Sequence, residues 1–142
     1  MTATVRPLQP SDYAAWEPLW AAYQRFYEVV IPTETTDLTW ARPMHALGAF
    51  DEDGRLVGIV HAIFHRSCWL PQWTCYLQDL YIEDSRRGFG TGAALIEAVA
   101  GLARQNGAGR LYWMTYESNA TARRLYDKIA ERSGFIQYRK AL

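Results

Sequence analysis

The chain has 142 residues, 49% of them apolar and 14% aromatic, and its 15 basic side chains balance 15 acidic ones. That is the length of one domain with apolar content enough for a core, so residues 1–142 read as a single domain. Balanced charge leaves no global field to recruit nucleic acid or an anionic membrane surface.

No apolar run approaches the roughly 20 residues of a membrane span. Met1–Pro10, with Arg6 and two prolines, lacks the apolar run of a signal peptide. Cys68 and Cys75 are too few and too close for a secreted disulfide framework, so a cytoplasmic setting is expected.

In chain order, Thr4-Val5-Arg6 is a short β-favouring run stopped by Pro7, an edge strand. Ser11 can cap a helix in which Trp16, Leu19, Trp20, Tyr23 and Tyr27 recur at helical spacing, with Pro18 expected to kink or split it. A shorter helix is expected from about Thr36 to Met44. Ala46–Phe50, the Asp51–Gly54 turn and Leu56–Val60 form a hairpin signal, the second strand extending toward His65.

Residues 67–73 read as a loop, Cys75–Ile82 as a strand, and a glycine-rich segment follows. Ala94, Leu95, Ala98, Val99 and Leu102 make one stripe of a helix from Thr91 to Gln105, ended by Gly107 and Gly109. Leu111–Tyr116 is expected as a strand, then a helix from Ser118 or Asn119 to about Arg132. Gly134 and a last strand, Phe135–Arg139, follow. The order β, helices, β-meander, β-α-β-α-β implies an α/β (α+β) fold, one mixed sheet with helices packed on it.

The strongest chemical signal is the strand, then Arg86-Arg87-Gly88-Phe89-Gly90-Thr91-Gly92, then an alanine-rich helix. Gly88, Gly90 and Gly92 permit a tight turn that brings backbone N–H groups close to an anion. The helix N-terminus adds its positive dipole end, and Arg87 supplies charge at the loop entrance. A plain glycine turn is the bland alternative. A triphosphate P-loop fails because Ala93-Ala94, not Lys-Ser/Thr, follows Gly92. A dinucleotide fingerprint, Gly88-x-Gly90-x-x-Ala93, lacks the acidic residue expected about twenty positions on.

Arg87-Gly88-Phe89-Gly90-Thr91-Gly92 resembles the Q/R-x-x-G-x-G/A motif of the GNAT superfamily of N-acetyltransferases. Leu80-Tyr81-Ile82 before it and Asn119-x-x-Ala122-x-x-x-Tyr126-x-Lys128 after it extend the resemblance from about Tyr76 to Tyr138. The resemblance implies the GNAT acyl-CoA N-acyltransferase fold and acetyl-CoA as co-substrate, with no metal. Leu80, Tyr81 and Ile82 would bind the pantetheine arm in a V-shaped gap between the fourth and fifth strands. Arg87, Gly88, Phe89, Gly90, Thr91 and Gly92 would hold the pyrophosphate, and Asn119 the far side of the arm.

A primary amine of a small molecule or peptide would attack the thioester directly, with Tyr126 protonating the departing thiolate. A phenol suits that role because a thiolate is a good leaving group. Asn119 and Tyr126 are seven residues apart, two helical turns, and so share a face. The bland reading of Tyr126 is a core tyrosine.

Tyr76–Ile82 resembles polyamine and diamine acetyltransferases, and Arg124–Tyr138 a yeast histone and polyamine acetyltransferase branch. Polyamine enzymes carry Glu where Gln78 stands, which cannot take a proton. Adjacent strand residues face opposite ways, so Asp79 is not expected to substitute.

His61 and His65, near Cys68 and Cys75, lack paired ligand spacing and read as satisfied or exposed histidines rather than zinc ligands. Glu28, Glu34 and Asp37 read as surface charges, with attraction of a cationic amine as the alternative. A catalytically idle acyl-CoA-binding module and a nucleotide-binding oxidoreductase fragment are the rival functions. With one strand available after the last long helix, a homodimer covering the sheet edge, by strand exchange among other ways, is expected.

Overall fold

The computed structural model describes residues 2–41 and 45–142. Five strands form one sheet in the order β1 (Thr4–Pro7), β2 (His45–Phe50), β3 (Leu56–His65), β4 (Trp73–Ile82), β5 (Ala108–Tyr112). The first three pairings are antiparallel and β4–β5 is parallel, so the sheet is mixed. Helices α1 (Tyr13–Phe26) and α2 (Thr33–Ala41) follow β1, α3 (Thr91–Gln105) crosses from β4 to β5, and α4 (Ala120–Ile129) comes last. The second helix begins at Thr33, directly after Pro32. The expected end at Met44 lies outside the described residues.

Two apolar clusters sandwich the sheet. On one face Leu95, Ile96, Val99 and Ala103 of α3 pack on Leu47, Ala49, Val60, Ala62, Cys75 and Leu77. On the other, Trp16, Leu19 and Trp20 of α1 pack on Phe50, Leu56 and Ile59. That second cluster explains why α1 runs unbroken through Pro18 rather than splitting. An interior proline costs about 3 kcal/mol, whereas three large buried side chains contribute about 1.5–3 kcal/mol each. Pro18 itself is exposed.

The alternation of β4 is broken by a bulge. His61 pairs with Asp79 but its neighbour Ala62 pairs with Leu77, leaving Gln78 as an extra residue. A bulge shifts the faces by one position. Leu77 therefore joins the α3 cluster, while Asp79, two residues on, is buried opposite His61 and hydrogen-bonded to it.

Three expectations are corrected. The fifth strand begins three residues earlier, because Gly107 (φ +73°) makes the turn and Ala108–Tyr112 runs beside Trp73–Tyr76; it ends at Tyr112, not Tyr116. Helix α4 ends at Ile129, with Ala130 already extended. No strand forms at Phe135–Arg139. A strand is stable only against a neighbour, and this segment has none. Among the described residues, the partners of residues 134–142 are the Trp69 ring, 6.2 Å from Phe135, and Ser133 Oγ, which accepts the Phe135 amide.

Candidate active site

The β4–β5 pairing stops at Tyr76–Tyr112, although β4 continues to Ile82. The two segments leave the ladder there, so Leu77–Ile82 has no strand beside it on that edge. Leu80 and Ile82 lie against the α3 cluster and Tyr81 against the α1 cluster. The β4 side of this gap is thus held rigidly from both faces.

At the far end of β4 the chain turns through Asp84–Arg86 and Gly88-Phe89-Gly90 into α3. Gly88 and Gly90 take φ of +83° and +84°, the left-handed region that favours glycine, and a Cβ built on either would meet nothing within 4 Å. Gly90 is the N-cap of α3 and no side chain caps the helix. The first N–H groups of a helix lack intrahelical acceptors, and here the Ala94 amide is the one that closes onto Gly90 O at 3.0 Å. The amides before it line an open loop at the positive end of a 15-residue helix.

Gly92 lets β4, α3 and α4 approach closely, since a Cβ there would sit 3.2 Å from Ile82 Cδ1 and 3.5 Å from Leu125 Cδ2. Phe89 is exposed and Thr91 buried. Arg87 folds back over the loop entrance: its Nε donates to Ile82 O at 3.0 Å and Nη1 pairs with Asp84 at 2.8 Å. Its guanidinium stands 5.4–5.5 Å from the Phe26 and Tyr81 rings.

Helix α4 carries the other two expected residues. Asn119 occupies its N-cap position, but its side chain donates to Thr115 Oγ1 at 3.2 Å instead of capping. Tyr126 packs edge-on against Trp113 at 5.4 Å. Burial, with Tyr27 nearby, raises Tyr126 above the ordinary phenol range, so its proton is retained.

Sequence reasoning missed the group across the gap. Tyr23, Tyr27 and Tyr116 follow one another with ring centroids 4.9 and 5.6 Å apart, and Tyr76 stacks on Tyr112. Beneath them Tyr23 donates to Asp79 Oδ1 at 2.6 Å, His61 Nδ1 lies 3.0 Å from Asp79 Oδ2, and Trp16 Nε1 donates to His61 Nε2 at 3.0 Å. The bulge at Gln78 breaks the strict alternation expected of this strand, and a bulge has no reliable signature in residue types.

His61 is thus a satisfied core histidine and His65 bonds Tyr112 OH. Burial pushes the Cys75 thiol up to about 11. Among the described residues no three His, Cys, Asp or Glu side chains come together to hold a metal ion, and no helix is long and apolar enough to cross a membrane. Glu28, Glu34 and Asp37 are exposed. A cavity of about 270 Å³ opens beside the Trp16–His61 end of that relay, bordered also by Leu8, Trp40, His45 and Leu47.

Residues 16–130 match the family model described as acetyltransferase (GNAT) family. A D-amino-acid N-acetyltransferase of Saccharomyces cerevisiae, HPA3, is 34% identical over 143 residues, covering 96% of this chain and 89% of the relative. An N-acetyltransferase of Bacillus subtilis, YhfO, whose function is uncharacterised, is 28% identical with 94% of each covered. The fold is shared with a ribosomal-protein-alanine N-acetyltransferase from Brucella melitensis biovar Abortus 2308, at TM-score 0.84 and 24% identity over the full length of both chains. An aminoglycoside acetyltransferase from a soil metagenome, HMB0005, superimposes at TM-score 0.82 with 22% identity, covering 100% of this chain and 99% of that one.

Proposed function

The chain belongs to the GNAT acetyltransferase family, and we propose on that footing that it transfers the acetyl group of acetyl-CoA to a primary amine by direct attack. The observation that carries the reading is the uncapped N-terminus of α3 behind a loop whose Gly88 and Gly90 leave open space over their backbone. That cradle fits a pyrophosphate: amides of residues 88–92 donate to it, and Arg87 adds charge at the entrance. The unpaired edge at Leu80, Tyr81 and Ile82 suits the amide-bearing pantetheine arm, with Asn119 on its other side. Acetyl-CoA supplies an activated thioester. The neutral amine nitrogen bonds to the acetyl carbon as the carbon–sulfur bond breaks; the nitrogen sheds its extra proton to solvent, and Tyr126 gives its proton to sulfur and regains one from solvent.

The acceptor is an amine of a small molecule or peptide. HPA3 is a D-amino-acid N-acetyltransferase, which places amino-acid α-amines among the first acceptors to try. The enzyme works as a homodimer. Support comes from Phe135, Ile136 and Tyr138, exposed at 76%, 76% and 88%, and from β5, which has a single neighbour in the sheet.

The test is calorimetric titration with acetyl-CoA, CoA and NAD, then thiol release over a panel of D- and L-amino acids, diamines, aminoglycosides and lysine peptides. Acetyl-CoA binding with amine-dependent thiol release is expected. Binding without release on any amine supports the idle module, and binding of NAD alone refutes both.

A further inference from the structure

Ile82 ends β4 with its backbone groups turned outward. In an antiparallel pair, opposed residues alternate between exchanging hydrogen bonds and pointing theirs away from the partner. Glu83 N–H donates to Val57 O at 3.0 Å, and Ile82, opposite Gly58, is the adjacent rung. The Ile82 N–H and C=O therefore point away from β3, to the edge where β5 no longer pairs. Leu80, opposite Val60, faces the same way two residues earlier. These are the groups that an extended chain added to this edge would use.

The Ile82 carbonyl already has a partner. Arg87 Nε donates to it at 3.0 Å, while Nη1 of the same guanidinium pairs with Asp84 at 2.8 Å. Its Cζ stands 5.4 Å from the centre of the Phe26 ring and 5.5 Å from that of Tyr81. One side chain thus links the free edge of β4, the glycine loop and the last residue of α1. A donor arm that takes Ile82 O must first dislodge Arg87. A thioester carrying a pyrophosphate compensates, because the phosphate accepts the same guanidinium at the loop. A thioester without phosphate breaks those bonds and offers Arg87 nothing in their place.

We propose that Arg87 determines donor specificity by exclusion: it covers the Ile82 carbonyl, so that phosphate-bearing thioesters displace it and phosphate-free ones do not. The proposal rests on the acetyltransferase reading for the identity of the donor. It goes further in giving Arg87 opposite effects on two donors, whereas an arginine that only attracts phosphate leaves a neutral arm unaffected.

The test measures binding apart from turnover. Wild type and Arg87→Met are titrated with acetyl-CoA by calorimetry. They are titrated with S-acetylpantetheine, the same arm without phosphate or charge, by NMR shifts of the backbone amides. Arg87→Met should bind acetyl-CoA about tenfold more weakly and S-acetylpantetheine about threefold more tightly, the latter matching one released hydrogen bond. Asp84→Asn weakens the anchor of Arg87 and keeps its charge, so it should bind S-acetylpantetheine more tightly with no loss of acetyl-CoA. That variant decides the question should Arg87→Met fail to fold. S-acetylpantetheine affinity that is unchanged or lower in the deciding variant overturns the proposal and, with acetyl-CoA still bound by wild type, leaves the acetyltransferase reading standing. Binding of neither thioester by any of the three proteins overturns both.

Discussion

Placing one negative charge at Gly90 separates a phosphate-binding loop from a glycine turn. The residue is left-handed (φ +84°), and a Cβ added to it would meet no protein atom within 4 Å. Asn and Asp are the residues that tolerate this backbone region best; the conformation costs about 1 kcal/mol. Asp at a helix N-terminus regains roughly 0.3–1 kcal/mol from the dipole. Gly90→Asp and Gly90→Asn should therefore unfold within about 1 kcal/mol of wild type. Donor affinity should part them sharply. A carboxylate ~5 Å from a phosphate charge repels it by about 2–3 kcal/mol at an effective dielectric of 20–40, a loss of at least ~30-fold. The Asn variant, equal in shape, should lose less than about 5-fold. Calorimetric titration with acetyl-CoA, alongside thermal melts, measures both. Equal affinities for the two variants would show that no anion rests on these amides.

Tyr126→Phe should lower turnover about 10²-fold with donor affinity unchanged, measured by thiol release and titration. The rate should climb with pH toward the free amine's own pKa and show no fall from loss of the Tyr126 proton below pH ~10, because burial raises that phenol; a plateau set by an enzymic group near neutrality would contradict this. Asp51 accepts the Asp53 and Arg55 amides and binds Arg86, which together lower its pKa, so its stabilisation is present above the unfolded value near ~3.9 and lost as pH falls through the folded one. Asp51→Asn should accordingly melt lower than wild type at pH 7, with the gap closing below about pH 4 in thermal scans. Sedimentation equilibrium at micromolar concentration should give twice 16.3 kDa, and the monomer mass would refute the dimer.

What was legible in the sequence is what local chemistry decides. Thr91–Gln105 matches the expected helix at both ends because glycines bracket it and its apolar stripe faces one cluster. The hairpin followed from Asp51–Gly54, and the phosphate-type loop from its glycines. The errors fall where tertiary context decides. Leu111–Tyr116 has good strand residues throughout, but only the part beside Trp73–Tyr76 is paired, and the unpaired remainder borders the gap. Phe135–Arg139 has β-favouring side chains and no neighbour to pair with. The burial of Asp79 against His61 was not foreseen because a strict two-residue period does not survive the bulge at Gln78.

The proposed phosphate cradle is held in place by partners the fold supplies in advance. On the donor side, Arg55 grips Glu83 through both terminal nitrogens at 2.8 Å, while Arg86 holds Asp51 at 2.9 Å. The β2–β3 turn is thereby tied to the segment that leads into Gly88. Only Arg87 has a partner it can release cheaply: Asp84 is 84% exposed, and an exposed pair contributes about 0–1 kcal/mol. An incoming phosphate can take that guanidinium while the main-chain donors stay where the fold has set them, which is the condition for low reorganisation cost. Tyr23, Tyr27 and Tyr116 form a row of rings in tilted contact, anchored through Tyr23 to Asp79. On the proposed reading, a cradle fixed in advance lets the enzyme hold its co-substrate with little cost in reorganisation.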